Sequence, residues 1–135
     1  MKKLLIAITL ITCIYLLCAC EGKIDTKVAY ELQESCAKKA EQAMKNEYPL
    51  QRTYESHHNL KLNKCIIRVL NIGIDPSWKT TCTDEWLFDA NERKKYGEYY
   101  YCSDRPDIPF GGNIEGKDCK NLQEWQSFVK KMMTE

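Results

Sequence analysis

The sequence predicts an α+β fold: a small antiparallel sheet of about three or four strands, disulfide-stapled, with an N-terminal and a C-terminal helix packed on one face. Three observations carry this. Apolar residues recur at three- and four-residue steps from Val28 to Met44, and again from Leu122 to Met132. Between these stretches the pattern switches to period two, most clearly over residues 64–70. Five cysteines, Cys36, Cys65, Cys82, Cys102 and Cys119, are spread through the same segments.

Ahead of the first helix stands a different kind of stretch. Met1-Lys2-Lys3 is a short cationic start, and residues 4–19 are apolar apart from Thr9 and Thr12. A charged start, an apolar run and small residues at its close form the pattern of an export signal. The closing Leu17-Cys18-Ala19-Cys20 resembles the lipobox of bacterial lipoproteins. That resemblance implies cleavage before Cys20, lipidation of Cys20 and attachment to a membrane through the lipid. Two other readings are a plain signal peptide and an uncleaved anchor, for which the 17 residues from Leu4 to Cys20 are at the short limit. All three place the rest of the chain outside the cytoplasm, because Lys2 and Lys3 hold the N-terminus inside. Glu21, in place of Asp, implies by the same resemblance the outer membrane, facing the periplasm, in a Gram-negative host. The expected organisation is a signal peptide over 1–19, a lipidated Cys20 with a tether to residue 25, and one domain over 26–135.

Removing 19 of 135 residues leaves 116, enough for one small domain. The remaining chain holds 18 basic and 19 acidic residues in mixed order. Such a balance argues against nucleic acid and against a polybasic membrane surface as partners.

Asp25 or Thr26 caps a helix expected to run to about Asn46, where Tyr48-Pro49 stops it. Cys36 lies on its apolar stripe. Residues 52–56 read as a short strand and His57-His58-Asn59 as a turn, followed by a long strand over 62–74. Cys65, Ile67 and Val69 share the cleaner face of that strand, which should meet the first helix. Cys36 and Cys65 then point at one interface, and a bridge between them follows from that geometry. Asp75-Pro76-Ser77 ends the strand. Residues 79–88 and 97–102 form a hairpin about the charged turn, with Tyr99 and Tyr101 on one face and Tyr100 on the other. The stretch 103–120 holds two prolines and three glycines and reads as an irregular loop, long for a compact domain and therefore functional or mobile. Asn121-Leu122-Gln123-Glu124 opens the closing helix like a capping box.

Tyr54-Glu55-Ser56-His57-His58-Asn59, Leu62-Asn63-Lys64-Cys65, and Leu87-Phe88-Asp89-Ala90-Asn91-Glu92 leading to Tyr96-Gly97 resemble a family of small uncharacterised exported bacterial proteins. The likeness covers most of residues 30–101, supports the architecture and implies no activity. It also implies a pair between Cys102 and Cys119 that would close the long loop, leaving Cys82 spare. The pair Cys82–Cys102, symmetric about the hairpin turn, competes with it.

Candidate chemistry is sparse. His57 and His58 are the only histidines. Neighbours on an extended chain point to opposite sides, so they do not share a metal readily, and no ligand stands at metal-site spacing. Cys82 as a nucleophile needs a base that the sequence does not supply. Asp104, Asp107 and Glu115 lack the alternation of a calcium loop. The aromatic group of Trp78, Trp86, Tyr96, Tyr99, Tyr100 and Tyr101 is the richest feature, since Tyr and Trp dominate binding hot spots. The expected function is a cell-envelope lipoprotein, non-catalytic, that binds another envelope protein and carries no cofactor or metal. The alternative is glycan or small-ligand binding through the tyrosine hairpin and the long loop. Tyr99, Tyr101, Trp78 and His57 are the candidate binding residues.

Overall fold

A computed structural model of the chain describes residues 25–47, 53–77, 79–102 and 111–134. The order is α1 (Thr26–Glu47), β1 (Thr53–Asn59), β2 (Lys64–Asp75), β3 (Thr80–Asp89), β4 (Lys95–Cys102), β5 (Gly111–Ile114), β6 (Lys117–Asp118) and α2 (Leu122–Thr134). The strands form one antiparallel sheet in sequence order, β1 to β6. The export segment with Cys20, the Tyr48-Pro49 helix stop, Trp78, Asp104 and Asp107 lie outside the described residues.

The α+β class and the stapling by disulfides stand, but the sheet has six strands where three or four were expected. The two helices also lie on opposite faces, not on one. On the first face Ala40 and Met44 of α1 pack on Ile67, Val69, Trp86 and Phe88. On the second, Trp125, Val129 and Met132 of α2 pack on Ile66, Leu87 and Tyr99. Both faces of β2 are therefore buried, which explains its continuous Cys65-Ile66-Ile67 run. The second face is the less cleanly apolar one because it carries Arg68. The Arg68 guanidinium is held over that face by Glu85 at 2.7 Å and Glu55 at 3.2 Å.

Asp25 caps α1, its Oδ1 accepting the Lys27 N–H at 3.0 Å. Gln33, on the flank of α1, treats the edge strand as a partner. Its amide donates to the Ser56 carbonyl at 2.9 Å and accepts the His58 N–H at 2.8 Å. This pairing blunts an otherwise open edge and keeps His57-His58-Asn59 extended as part of β1. The expected turn is displaced to residues 60–63. Asn59 fixes it, as its Oδ1 accepts the Leu62 N–H at 2.9 Å. The Asn59 Nδ2 donates to the Met132 carbonyl at 3.1 Å at the end of α2.

The glycine-rich stretch read as irregular contains β5 and β6. Of its glycines, Gly112 is needed for close approach and Gly116 for a φ of 80° in the β5–β6 turn. A Cβ at Gly112 would lie 2.3 Å from Tyr99 Cδ2, and one at Gly97 would lie 2.9 Å from Trp125 Cζ3. Asn121 then caps α2, accepting the Glu124 N–H at 2.9 Å, while Glu124 accepts the Lys120 N–H at 2.8 Å.

Cys36–Cys65 pins α1 to the sheet as expected. The second bridge is Cys82–Cys102, not Cys102–Cys119. These residues face each other directly across β3 and β4 with Cα atoms 4.0 Å apart, the spacing of a close antiparallel pair. Among the described residues Cys119 is the free thiol, buried under α2. With sequence separations of 29 and 20, chain-entropy arguments give each bridge about 3 kcal/mol.

Candidate functional site

Both helices sit over the half of the sheet that holds residues 65–69 of β2. Neither helix-packed core takes in residues 71–75 or 80–84; there Cys82 and Thr83 of β3 are buried, while Ile72, Gly73 and Ile74 of β2 are exposed. This end of β2 is the candidate functional region, and its two faces differ in chemistry.

On the α1 face the register places Asn71, Asp84, Tyr100 and Gly111 in one row across β2, β3, β4 and β5. Two shallow cavities, of about 200 and 300 Å³, meet at Asp84 and Tyr100. Gly73 lines one and Gly111 the other, and a Cβ at either would meet open space, so the floor is cut by missing side chains. The Tyr100 hydroxyl donates to Asp75 Oδ2 at 2.9 Å. Partial burial and that carboxylate push the phenol above its ordinary range and keep it a neutral donor. Glu98 accepts from Asn113 Nδ2 at 3.0 Å further along the trough. Carboxylates, amides and one ring face suit a hydroxyl-rich or cationic small ligand.

On the opposite face the same end is apolar. Ile72 and Ile74 are 63% and 76% exposed and stand two residues apart, so they project from the same side of β2. Leu70, half-buried, precedes them on that side. Thr83 separates Ile72 from Tyr101 across the sheet.

The expected tyrosine patch is not formed by Tyr99. That residue is 1% exposed and stacked on Trp125, with ring centroids 5.9 Å apart and planes 15° apart. Residue alternation assigned it the correct face, but α2 covers that face. Tyr101 is half-buried, 6.1 Å from the Tyr99 ring and tilted by 42°. It therefore reaches the apolar end only at its margin. Tyr100, singled out only as the opposite-face tyrosine, is the one that meets a cavity. Its signal in the sequence was its place in the row with Gly73 and Gly111 nearby, which requires the register to be known.

His57 is half-buried near the covered half of β1, far along the chain from either face of that end. Burial and the neighbouring His58 push its imidazole below its ordinary range. Cys82 has no thiol to offer as a nucleophile, since it is bridged to Cys102. Glu115 occupies the β5–β6 turn with φ of 51°. Among the described residues no three acidic, histidine or cysteine side chains converge as a metal site, and no helix is long and apolar enough to cross a membrane.

The most informative residues were absent from the expected set. The sequence places Ile72 and Ile74 only within the long strand over 62–74, because alternation cannot tell where a covering helix stops. No family model matches this chain, and no curated protein or solved structure is significantly similar to it.

Proposed function

We propose that this chain is a lipid-anchored cell-envelope protein whose domain binds another protein through the exposed end of β2. Cys20 is the lipidated residue in this reading, and the domain displays its binding surface on the envelope side of the membrane. The observation that carries it is the pair Ile72 and Ile74, exposed side by side on a sheet that buries its other large aliphatic residues more deeply. Adjacent exposed isoleucines on a rigid strand are costly in water and favour an apolar partner surface. The test is capture by cross-linking in intact cells. An Ile72→Asp/Ile74→Asp form, folded by circular dichroism, should lose a partner that the native form captures. Equal capture by both forms would remove the proposed surface.

A second reading has its own observation. The trough floored by Gly73 and Gly111, with Tyr100 between carboxylates, suits a glycan or a small polar ligand. It replaces Tyr99 and Tyr101 with Tyr100 as the contact residue. Tyr100→Ala should then abolish glycan-array binding, whereas the isoleucine variant should leave it intact.

A further inference from the structure

At the other end of the molecule the β1–β2 turn presents Leu60 and Leu62, 36% and 45% exposed, on either side of Lys61. The turn is rigidly held. Leu62 donates its N–H to Asn59 Oδ1 at 2.9 Å, and Asn63 closes the turn with φ of 50°. Asn59, 1% exposed, ties the turn to the last carbonyls of α2 at Lys131 and Met132. A cavity of about 480 Å³ beside Leu62 is lined by Asn59, Lys61 and Lys131. Two leucines held outward beside Lys131 match the interfacial layer of an anionic bilayer, where apolar tips enter and a lysine meets phosphate.

The position of the chain outside the described domain selects this occupant. Cys20 precedes Thr26 by six residues, a reach of at most roughly 20 Å. From Thr26 to Gln33 is seven helical residues, about 10 Å. The Gln33 side chain is bonded to Ser56 and His58, immediately before the turn. The anchored end of the chain and the leucine turn therefore share one corner. Ile74, by contrast, lies ten strand residues beyond Lys64, roughly 30 Å away.

We infer that the Leu60–Leu62 turn rests on the membrane carrying the Cys20 lipid, so that the domain stands on that corner with Ile72 and Ile74 directed away from the bilayer. This rests on the reading of Cys20 as a lipid anchor. It adds to the lipid a second contact, one that orients the domain on the bilayer.

The test uses full-length protein reconstituted in vesicles of phosphatidylglycerol and phosphatidylethanolamine with brominated acyl chains, the lipid on Cys20 being verified by mass. Two forms are compared, Leu62→Trp and Ile74→Trp, with the native tryptophan signal subtracted. Bromine should quench the tryptophan of the Leu62→Trp form about twofold more than that of the Ile74→Trp form, because the turn enters the boundary layer. Equal quenching on a lipidated protein overturns the docking and leaves the anchor standing. Shielding of the Leu62→Trp signal from aqueous acrylamide without bromine quenching means that a protein covers the turn, and overturns the docking as well. A mass without lipid removes the anchor, and the docking falls with it.

Discussion

Trp125 fills the core under α2 and stacks on Tyr99, yet both carry a buried polar atom with no partner: the Tyr99 hydroxyl and Trp125 Nε1. An unpaired buried hydroxyl costs stability, so Tyr99→Phe should leave the unfolding free energy unchanged or raise it by up to about 1 kcal/mol in urea titration. A loss of that size would instead reveal an enclosed partner such as a water. Cys119 is a second test at this scale. Burial pushes its thiol up, against the opposing pull of the Asn121 and Trp125 backbone. Iodoacetamide should therefore modify Cys119 slowly in the folded protein and quickly in denaturant, read by mass; rapid native labelling would contradict its burial. For His57 the sign runs the other way from a salt-bridged histidine. Burial and His58 lower its pKa, so the folded state disfavours the proton. Its contribution is present above the ordinary histidine pKa of about 6.5 and is lost as pH falls from there through the lowered folded pKa. His57→Gln should flatten the decline in melting temperature below neutrality, and an unchanged profile would assign the decline elsewhere. The sequence displayed these side chains without their surroundings. The alternation of Tyr99, Tyr100 and Tyr101 was correct, whereas what covered each face depended on where α2 returned.

Among the elements, β2 carries most of the account. Its Arg68 links Glu55 on β1 to Glu85 on β3, and the Glu85 side chain is only 3% exposed. Arg68→Ala strands that carboxylate and should cost about 3 kcal/mol, measured by denaturant unfolding. Arg68→Met combined with Glu85→Leu should recover most of the loss; if the double form is as unstable as the single, packing rather than charge is responsible. This network also explains why the second helix was assigned to the wrong face. A lone arginine in an alternating strand resembles solvent exposure until its partners, on neighbouring strands, are known. The Cys36–Cys65 bridge was legible because each cysteine lay on an apolar stripe fixed by its own segment. The second bridge was not. The long loop appeared to need a disulfide to close it, but backbone pairing of Gly111–Ile114 with β4 restrains the segment instead. Cys102 is thus left to its direct neighbour Cys82, the pair that hairpin symmetry had kept open.

For the whole molecule, the helices pack on one half of the sheet, and Ile72 and Ile74 stand exposed beyond them. Gln33, the 60–63 turn and the end of α2 gather at one corner, while Ile72 and Ile74 occupy the opposite end. An α+β domain stapled by disulfides was legible from periodicity and cysteine placement. The exposed end of β2 was not, because it depends on where α1 and α2 cross the sheet, and a strand's own pattern does not record that. The proposed function places a partner at that end. The most direct measurement is a photo-activatable side chain introduced at Ile74, with a second at Tyr30 on α1 as control, each in the full chain in intact cells. A discrete cross-linked protein at Ile74 and none at Tyr30 is the predicted result. No adduct at Ile74, or the same adducts at both positions, would contradict a binding surface at the end of β2.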